Sequence, residues 1–210
     1  MRPEIIPEPT LVRLTIYGRC LNDLIEEGAT LVASDELAHR AGVNAAQVRK
    51  DLSYLGSFGR RGVGYDVRHL SDRIATAMGL TKERGFIIVG AGRLGSALMG
   101  YDGFNKKGFR AAAAFDADIN KVGQAIGSVT IRDINELSSF VQANGTEIGI
   151  ITVPASFAQS VADSLVKAGI KAILNFAPIV IKVPAGIRYR QVELSSEMEV
   201  LAHYLNSQGD

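Results

Sequence analysis

The stretch GFIIVGAGRLGSALMG, Gly85 to Gly100, restricts its part of the chain to one local geometry more tightly than any other segment. Phe86 to Val89 is a continuous apolar, β-prone run of the kind buried on both faces in a parallel sheet. It breaks at Gly90, Gly92 and Gly95, in G-x-G-x-x-G register with Ala91, Arg93 and Leu94 between them, and resumes as helix from Ser96 to Met99. The first glycine permits the tight turn, the second lets backbone approach a pyrophosphate, and the third lets helix pack closely on strand. The phosphates then lie over the helix N-terminus, where free N–H groups favour negative charge. That spacing alone is shared by unrelated folds. Here the next apolar run, Phe109 to Phe115, ends in Asp116, about twenty residues beyond the last glycine, where a carboxylate binds an adenosine ribose. Strand, glycines, helix, strand and acid together predict a dinucleotide site on residues 90–95 and Asp116. The Asp116 charge favours NAD over NADP, because it repels a 2′-phosphate. Asp118 is a substitute for it, but out of register.

Two more buried strands are predicted at Ile148 to Val153 and Ile170 to Phe176, with a helix from Ser156 to Ala168 between them. A right-handed crossover of that kind extends the same parallel sheet, so the fold class is α/β. Thr152, Val153 and Pro154 close a strand on the ligand edge and are candidates for the wall of a nicotinamide pocket, against the alternative of a plain turn.

Ahead of this half the periodicity is helical, from Thr10 to about Leu80, and GLTKERG marks the boundary at Leu80 to Arg84. Leu14, Tyr17, Leu21 and Leu24 form one stripe on a helix that stops near Gly28. A short helix follows Ser34, the expected N-cap, and ends at Gly42. Asn44 opens a third helix, with Gln47 completing a capping-box-like pair. Helix, two-residue turn (Gly42 and Val43) and helix is the outline of a helix-turn-helix. Val48, Leu52 and Leu55 share a narrow arc and face the core, which turns Ala46, Gln47, Arg49, Lys50, Ser53 and Tyr54 outward. Such a face suits a DNA major groove: Arg and Lys for guanine or phosphate, Gln for adenine, Ser and Tyr for phosphate oxygens. It also suits an ordinary solvated helix. The segment GSFGRRGVGYDV, Gly56 to Val67, adds glycines around Arg60 and Arg61 and can form a two-stranded loop with both charges at its tip. Asn44 to Gly64 holds Arg49, Lys50, Arg60 and Arg61 against the single acid Asp51, so basic charge gathers where a winged helix meets DNA.

With 210 residues and 47% apolar side chains the chain can bury two cores, while a net charge of +1 says nothing about nucleic acid. No signal peptide opens the sequence and no apolar run reaches the length of about 18 that spans a bilayer. A soluble, cytoplasmic protein with no membrane partner is expected. Cys20, the only cysteine, excludes an intramolecular disulfide and a multi-cysteine metal site, and its apolar setting predicts a buried thiol. A dehydrogenase needs an acid or base beside the hydride path. His39, His69 and His203 follow none of the predicted sheet strands, and the nucleotide half leaves no room for a substrate domain. The chain is therefore expected not to be an enzyme and to have no catalytic residue. A small NAD-dependent oxidoreductase remains the alternative, and a CoA-binding module is a third possibility that a ribose-binding Asp116 would serve poorly.

NAAQVRKDLSYLGSFGRRGVGYDV, GAGRLG, the FDAD segment and the closing ELSSEMEVLAHYL together resemble the bacterial redox-sensing transcriptional repressor Rex family, over nearly the whole chain. The resemblance implies a winged-helix DNA-binding domain over 1–80, a Rossmann NAD(H)-binding domain over 85–194 and a C-terminal helix over 195–210 that is exchanged between the subunits of a homodimer. It implies repression at a palindromic double-stranded operator and release when NADH binds, with NAD+ competing for the same site. It further implies that Arg19 pairs with an acidic residue after the last strand, here Glu193 where the family commonly has Asp, and that Tyr101 lies near the nicotinamide. Independently of the family, Met198, Leu201 and Leu205 form an apolar stripe on the last helix, widened by Val200 and Tyr204. That stripe fits either a partner or the helix's own domain.

Overall fold

Contacts divide the chain into two compact units, Met1–Lys82 and Glu83–Asp210. The structure, a computed structural model, describes residues 6–56, 59 and 63–207.

The first unit runs α1 (Glu8–Glu26), β1 (Leu31–Val32), α2 (Ser34–Ala41), α3 (Ala45–Ser53), β2 (Tyr65–Asp66) and α4 (Val67–Ala77). Pro9 lies in the first turn of α1, where a missing N–H leaves no helical bond unmade. The stripe of Leu14, Tyr17, Leu21 and Leu24 is buried as predicted, and Cys20 is buried beside it. Val48 and Leu52 of α3 and Leu55 just past its end close the same core, with Val67, Leu70 and Ile74 from α4.

Three local expectations change. Ala33, in extended conformation, occupies the cap of α2, and Ser34 is the first helical residue, its hydroxyl taken by Arg49 Nη1 at 2.9 Å. Asn44 does cap α3, accepting from Gln47 N at 2.8 Å, but the Gln47 side chain goes to Asp51 instead of returning to the cap. Tyr65–Asp66, near the end of the glycine-rich segment, pairs antiparallel with Leu31–Val32, which lies outside that segment, so the two-stranded element joins the start of α2 to the start of α4. Gly64 makes this possible: its φ is +104°, and a Cβ there would lie 2.4 Å from the Val32 carbonyl oxygen. Arg60 and Arg61 lie outside the described residues.

The second unit runs β3 (Arg84–Val89), α5 (Arg93–Met99), α6 (Asp102–Asn105), β4 (Phe109–Asp116), β5 (Ala125–Ile126), β6 (Val129–Asp133), a 3-10 turn (Ile134–Glu136), α7 (Leu137–Asn144), β7 (Ile148–Ile151), α8 (Ala155–Ala168), β8 (Ala172–Asn175), β9 (Arg188–Gln191) and α9 (Leu194–Ser207). The sheet order is β5-β6-β4-β3-β7-β8-β9. Every neighbouring pair is parallel except β5 and β6. Without the β5 edge this is the doubly wound order of dinucleotide-binding folds. Alternation along β3 sends Ile87 and Val89 to the face covered by α7 and α8, and Phe86 and Ile88 to the face covered by Leu98, Met99 and Phe104.

The predicted strands from Ile148 and Ile170 appear as β7 and β8, and β7 stops at Ile151, before the turn into Pro154 and α8. α9 begins one residue earlier than expected, and residues 194–206 are all exposed, so its apolar stripe is not covered by its own unit.

Candidate nucleotide cleft and nucleic-acid interface

In the second unit β3 is flanked by β4 on one side and β7 on the other, so the chain leaves this point in opposite directions along the sheet. Ligands of such folds lie beyond the carboxyl ends of the strands at that reversal. A cleft of about 860 Å³ opens there, bordered by Gly90 after β3, Asp116 at the end of β4, and Thr152 and Pro154 after β7. Phe157 and Val161 of α8 give it an apolar wall.

The three glycines have three distinct environments. Gly90 has φ +104°, and a Cβ on it would lie 2.6 Å from the Thr152 carbonyl oxygen. At Gly95 a Cβ would lie 2.0 Å from the Gly90 carbonyl oxygen, so helix and strand touch through backbone alone. At Gly92 nothing lies within 4 Å, which leaves open space for a ligand. Thr152 fixes the turn by donating its hydroxyl to the Gly90 carbonyl oxygen at 2.7 Å.

Asp116 borders the cleft with most of its acceptor capacity already engaged. Its Oδ2 accepts from Ala91 N at 2.8 Å and Lys121 Nζ at 2.9 Å, and its Oδ1 from Asp118 N at 2.9 Å. Burial alone would raise its pKa, but the backbone N–H of Asp118, the Lys121 ammonium and the Ala91 N–H outweigh it and hold the carboxyl below its ordinary value. Lys121 is a site residue that sequence reasoning missed, because it lies in an irregular turn with no period to mark it. It also changes the argument from charge: Asp116 carries a paired cation, so any preference against a 2′-phosphate rests on its acceptor geometry more than on net repulsion. Asp118 also borders the cleft, but its Oδ1 accepts from Asn120 N and Nδ2 within its own turn.

Not every predicted residue joins the cleft. Ala91 is buried and contributes its backbone N–H. Arg93 and Leu94 are exposed on the first turn of α5, outside the lining. Tyr101 is 57% exposed and also outside it, packed edge-on against Phe104 with ring centres 5.2 Å apart. Glu193 is exposed just before α9 and accepts from the Ser195 hydroxyl at 3.1 Å.

In the first unit Arg19 is exposed on α1. Ala46, Arg49, Lys50 and Ser53 are exposed on α3, while Gln47 and Tyr54 are half-buried. The Ser53 hydroxyl donates to the Lys50 carbonyl oxygen at 2.7 Å, and Arg73 of α4 donates to the Leu55 carbonyl oxygen just past the end of α3.

Asp51 is fully buried and not a surface acid. Arg13 of α1 grips it with Nε to Oδ2 at 2.6 Å and Nη2 to Oδ1 at 2.8 Å. Thr10 adds a bond at 3.0 Å, Tyr17 one at 2.8 Å and Gln47 one at 2.9 Å. Burial would raise the Asp51 pKa, but the bonds from Arg13, Tyr17, Gln47 and Thr10 bring it down to about 2. Burial, together with the bond to this carboxylate, pushes the Tyr17 hydroxyl well above its ordinary value. At about 100° per residue Asp51 falls about 40° outside the arc of Val48, Leu52 and Leu55, next to Leu55, so the spacing puts it at the border of the buried face and its burial is decided by the partners from α1.

The family whose model is described as CoA binding domain matches residues 81–179, and that described as putative DNA-binding protein N-terminus matches residues 5–53. A Streptomyces coelicolor protein named redox-sensing transcriptional repressor Rex is 48% identical over 203 residues, covering 97% of this chain and 79% of that protein. The crystal structure of RSP in complex with beta-NAD+ and operator DNA superposes with TM-score 0.93 at 38% identity, covering 98% of this chain and 94% of that one. That of RSP in complex with beta-NADH superposes with TM-score 0.89 at 36% identity, covering 98% and 96%.

Proposed function

The chain belongs to the redox-sensing transcriptional repressor Rex family, and from that membership we propose how its residues divide the work of a DNA-binding repressor that responds to the balance of NADH and NAD+. Residues 1–80 form the DNA-binding winged helix, 85–194 the dinucleotide-binding domain, and 195–210 the arm that joins two copies into a homodimer. Acting on chromosomal DNA, the protein works in the cytoplasm.

The observation that carries this reading is the cleft at the sheet reversal, with open space over Gly92 and the Asp116 carboxylate at its rim. The pyrophosphate lies along residues 90–95 and the adenosine ribose reaches Asp116. Thr152 and Pro154, with the apolar surface of Phe157 and Val161, receive the nicotinamide. Oxidised nicotinamide carries a positive charge that the reduced ring lacks, so an apolar wall favours NADH. Bound NADH shifts the dimer toward an arrangement whose two α3 helices no longer match successive half-sites of the palindrome, and the operator is released. Tyr101, Arg19 and Glu193 transmit that change; the longer Glu193 side chain keeps the charge at the position where the family commonly has Asp. On the DNA side, Lys50, Arg49, Arg60 and Arg61 supply positive charge, and Ala46, Gln47, Ser53 and Tyr54 complete the contact surface.

CoA is the ligand in the description of one matching family, but the RSP crystal structures, which resemble the chain over nearly its whole length, are complexes with NAD+ and with NADH. The oxidoreductase alternative falls with membership of a repressor family. A mobility-shift assay on a pool of promoter fragments tests the proposal. Retention without dinucleotide and with NAD+, and release with NADH, is the expected pattern; equal retention under all three conditions would refute it. Asp116→Ala is expected to weaken NAD(H) binding in a fluorescence titration and to leave the retained complex intact, now insensitive to NADH.

A further inference from the structure

Three donors converge on the Asp116 carboxylate from three places in the chain. Ala91 N, in the glycine turn after β3, and Lys121 Nζ reach its Oδ2 at 2.8 and 2.9 Å, and Asp118 N, in the turn after β4, reaches its Oδ1 at 2.9 Å. All of this borders the cleft: the Asp116 side chain is 11% exposed and that of Lys121 35%. Two backbone N–H groups and an ammonium aimed at one point are the donor set that holds a bound anion. Here the protein's own carboxylate stands at that point. A carboxylate has about four acceptor positions, and three are engaged. The fourth, on Oδ1, serves a ribose hydroxyl, and no donor is left for a phosphate.

We propose that Ala91 N, Asp118 N and Lys121 form an anion site that Asp116 occupies from within, and that Lys121 is a specificity-determining residue for a phosphate on the adenosine ribose. The inference rests on the ribose reaching Asp116, as proposed above. With the carboxylate in place, a 2′-phosphate meets an acceptor where it needs donors, and NADPH is refused. With the carboxylate removed, the same donors take the phosphate, and Lys121 supplies the matching charge. Asp118 is no substitute for the lost carboxylate, because its Oδ1 is engaged by Asn120 N and Nδ2.

Fluorescence titrations of the full-length protein with NADH and with NADPH test this. The unsubstituted chain should prefer NADH. Asp116→Ala should reverse the order, its NADPH affinity rising roughly ten- to hundredfold over that of the unsubstituted chain, as for one charge-assisted bond. Adding Lys121→Met to Asp116→Ala should remove the gain. Lys121→Met alone leaves the Asp116 charge unmatched and should widen the preference for NADH over NADPH, where a purely structural lysine would weaken both alike. That variant keeps the test open if Asp116→Ala does not fold. A folded Asp116→Ala chain that takes NADPH no better than the unsubstituted one, a gain that survives Lys121→Met, or an unchanged NADPH-to-NADH ratio in Lys121→Met alone would overturn the proposal. If the unsubstituted chain binds neither dinucleotide, the nucleotide cleft proposed above is itself overturned, and this proposal with it.

Discussion

At Asp51, Gly92 and Gly95 the effect of a single atom depends on what surrounds it. Asp51 ties α1 to α3 through a buried carboxylate whose partners come from both helices. Removing its charge leaves Arg13 without its partner, and Asp51→Asn is expected to cost about 2–4 kcal/mol in urea unfolding. The pH dependence has a definite sign. The folded pKa of about 2 lies below the ordinary 3.8, so the stabilisation is complete above pH 4 and is lost as pH falls toward 2, by about 2 kcal/mol in all. Asp51→Asn should lack that part of the acid dependence. Gly95 and Gly92 make the second contrast. Gly95→Ala drives a Cβ to 2.0 Å from backbone and should lower stability by about 1–3 kcal/mol and abolish NADH binding together. Gly92→Ala has free space around it, so thermal unfolding should change by less than about 0.5 kcal/mol while NADH titration shows the affinity lost.

Among elements, α9 is the one whose own unit leaves it uncovered. An isolated helix of 14 residues is marginal in water, and this one exposes Leu194, Met198, Val200, Leu201, Tyr204 and Leu205. In the proposed dimer that surface is where the partner packs. Leu201→Glu with Leu205→Glu should therefore convert dimer to monomer in sedimentation velocity, with operator affinity falling because only one half-site is then held at a time. Elements with strong apolar runs, β3, β4, β7 and β8, were legible in the sequence to within two residues. β9 was not: RYRQ has arginines at alternate positions and no apolar run, and it becomes a strand because β8 offers an open edge. β5 and β6 were missed for the same reason, being short and partly polar.

For the molecule as a whole, the proposal requires the two sites to be coupled, and coupling is reciprocal. If NADH lowers operator affinity by some factor, saturating operator must lower NADH affinity by the same factor, typically about 5- to 150-fold. Paired titrations, NADH with and without operator and operator with and without NADH, measure both sides of the cycle. Equal factors are expected; no change on either side would remove the switch. Lys50→Ala should weaken operator binding and reduce its salt dependence by about one counterion, with NADH affinity unchanged.

What the sequence determined by itself was whatever is written locally. Glycines at fixed spacing dictate a turn that only they can make, an apolar arc dictates the buried face of α3, and an acid at the end of a strand dictates the rim of a cleft. The tertiary structure alone decided which distant groups meet. It placed Arg13 and Tyr17 on Asp51 across more than thirty residues, turned Lys121 onto Asp116 within an irregular loop, and paired Leu31–Val32 with Tyr65–Asp66. Such partners are chosen by closure of the whole core, and no periodicity along the chain encodes them.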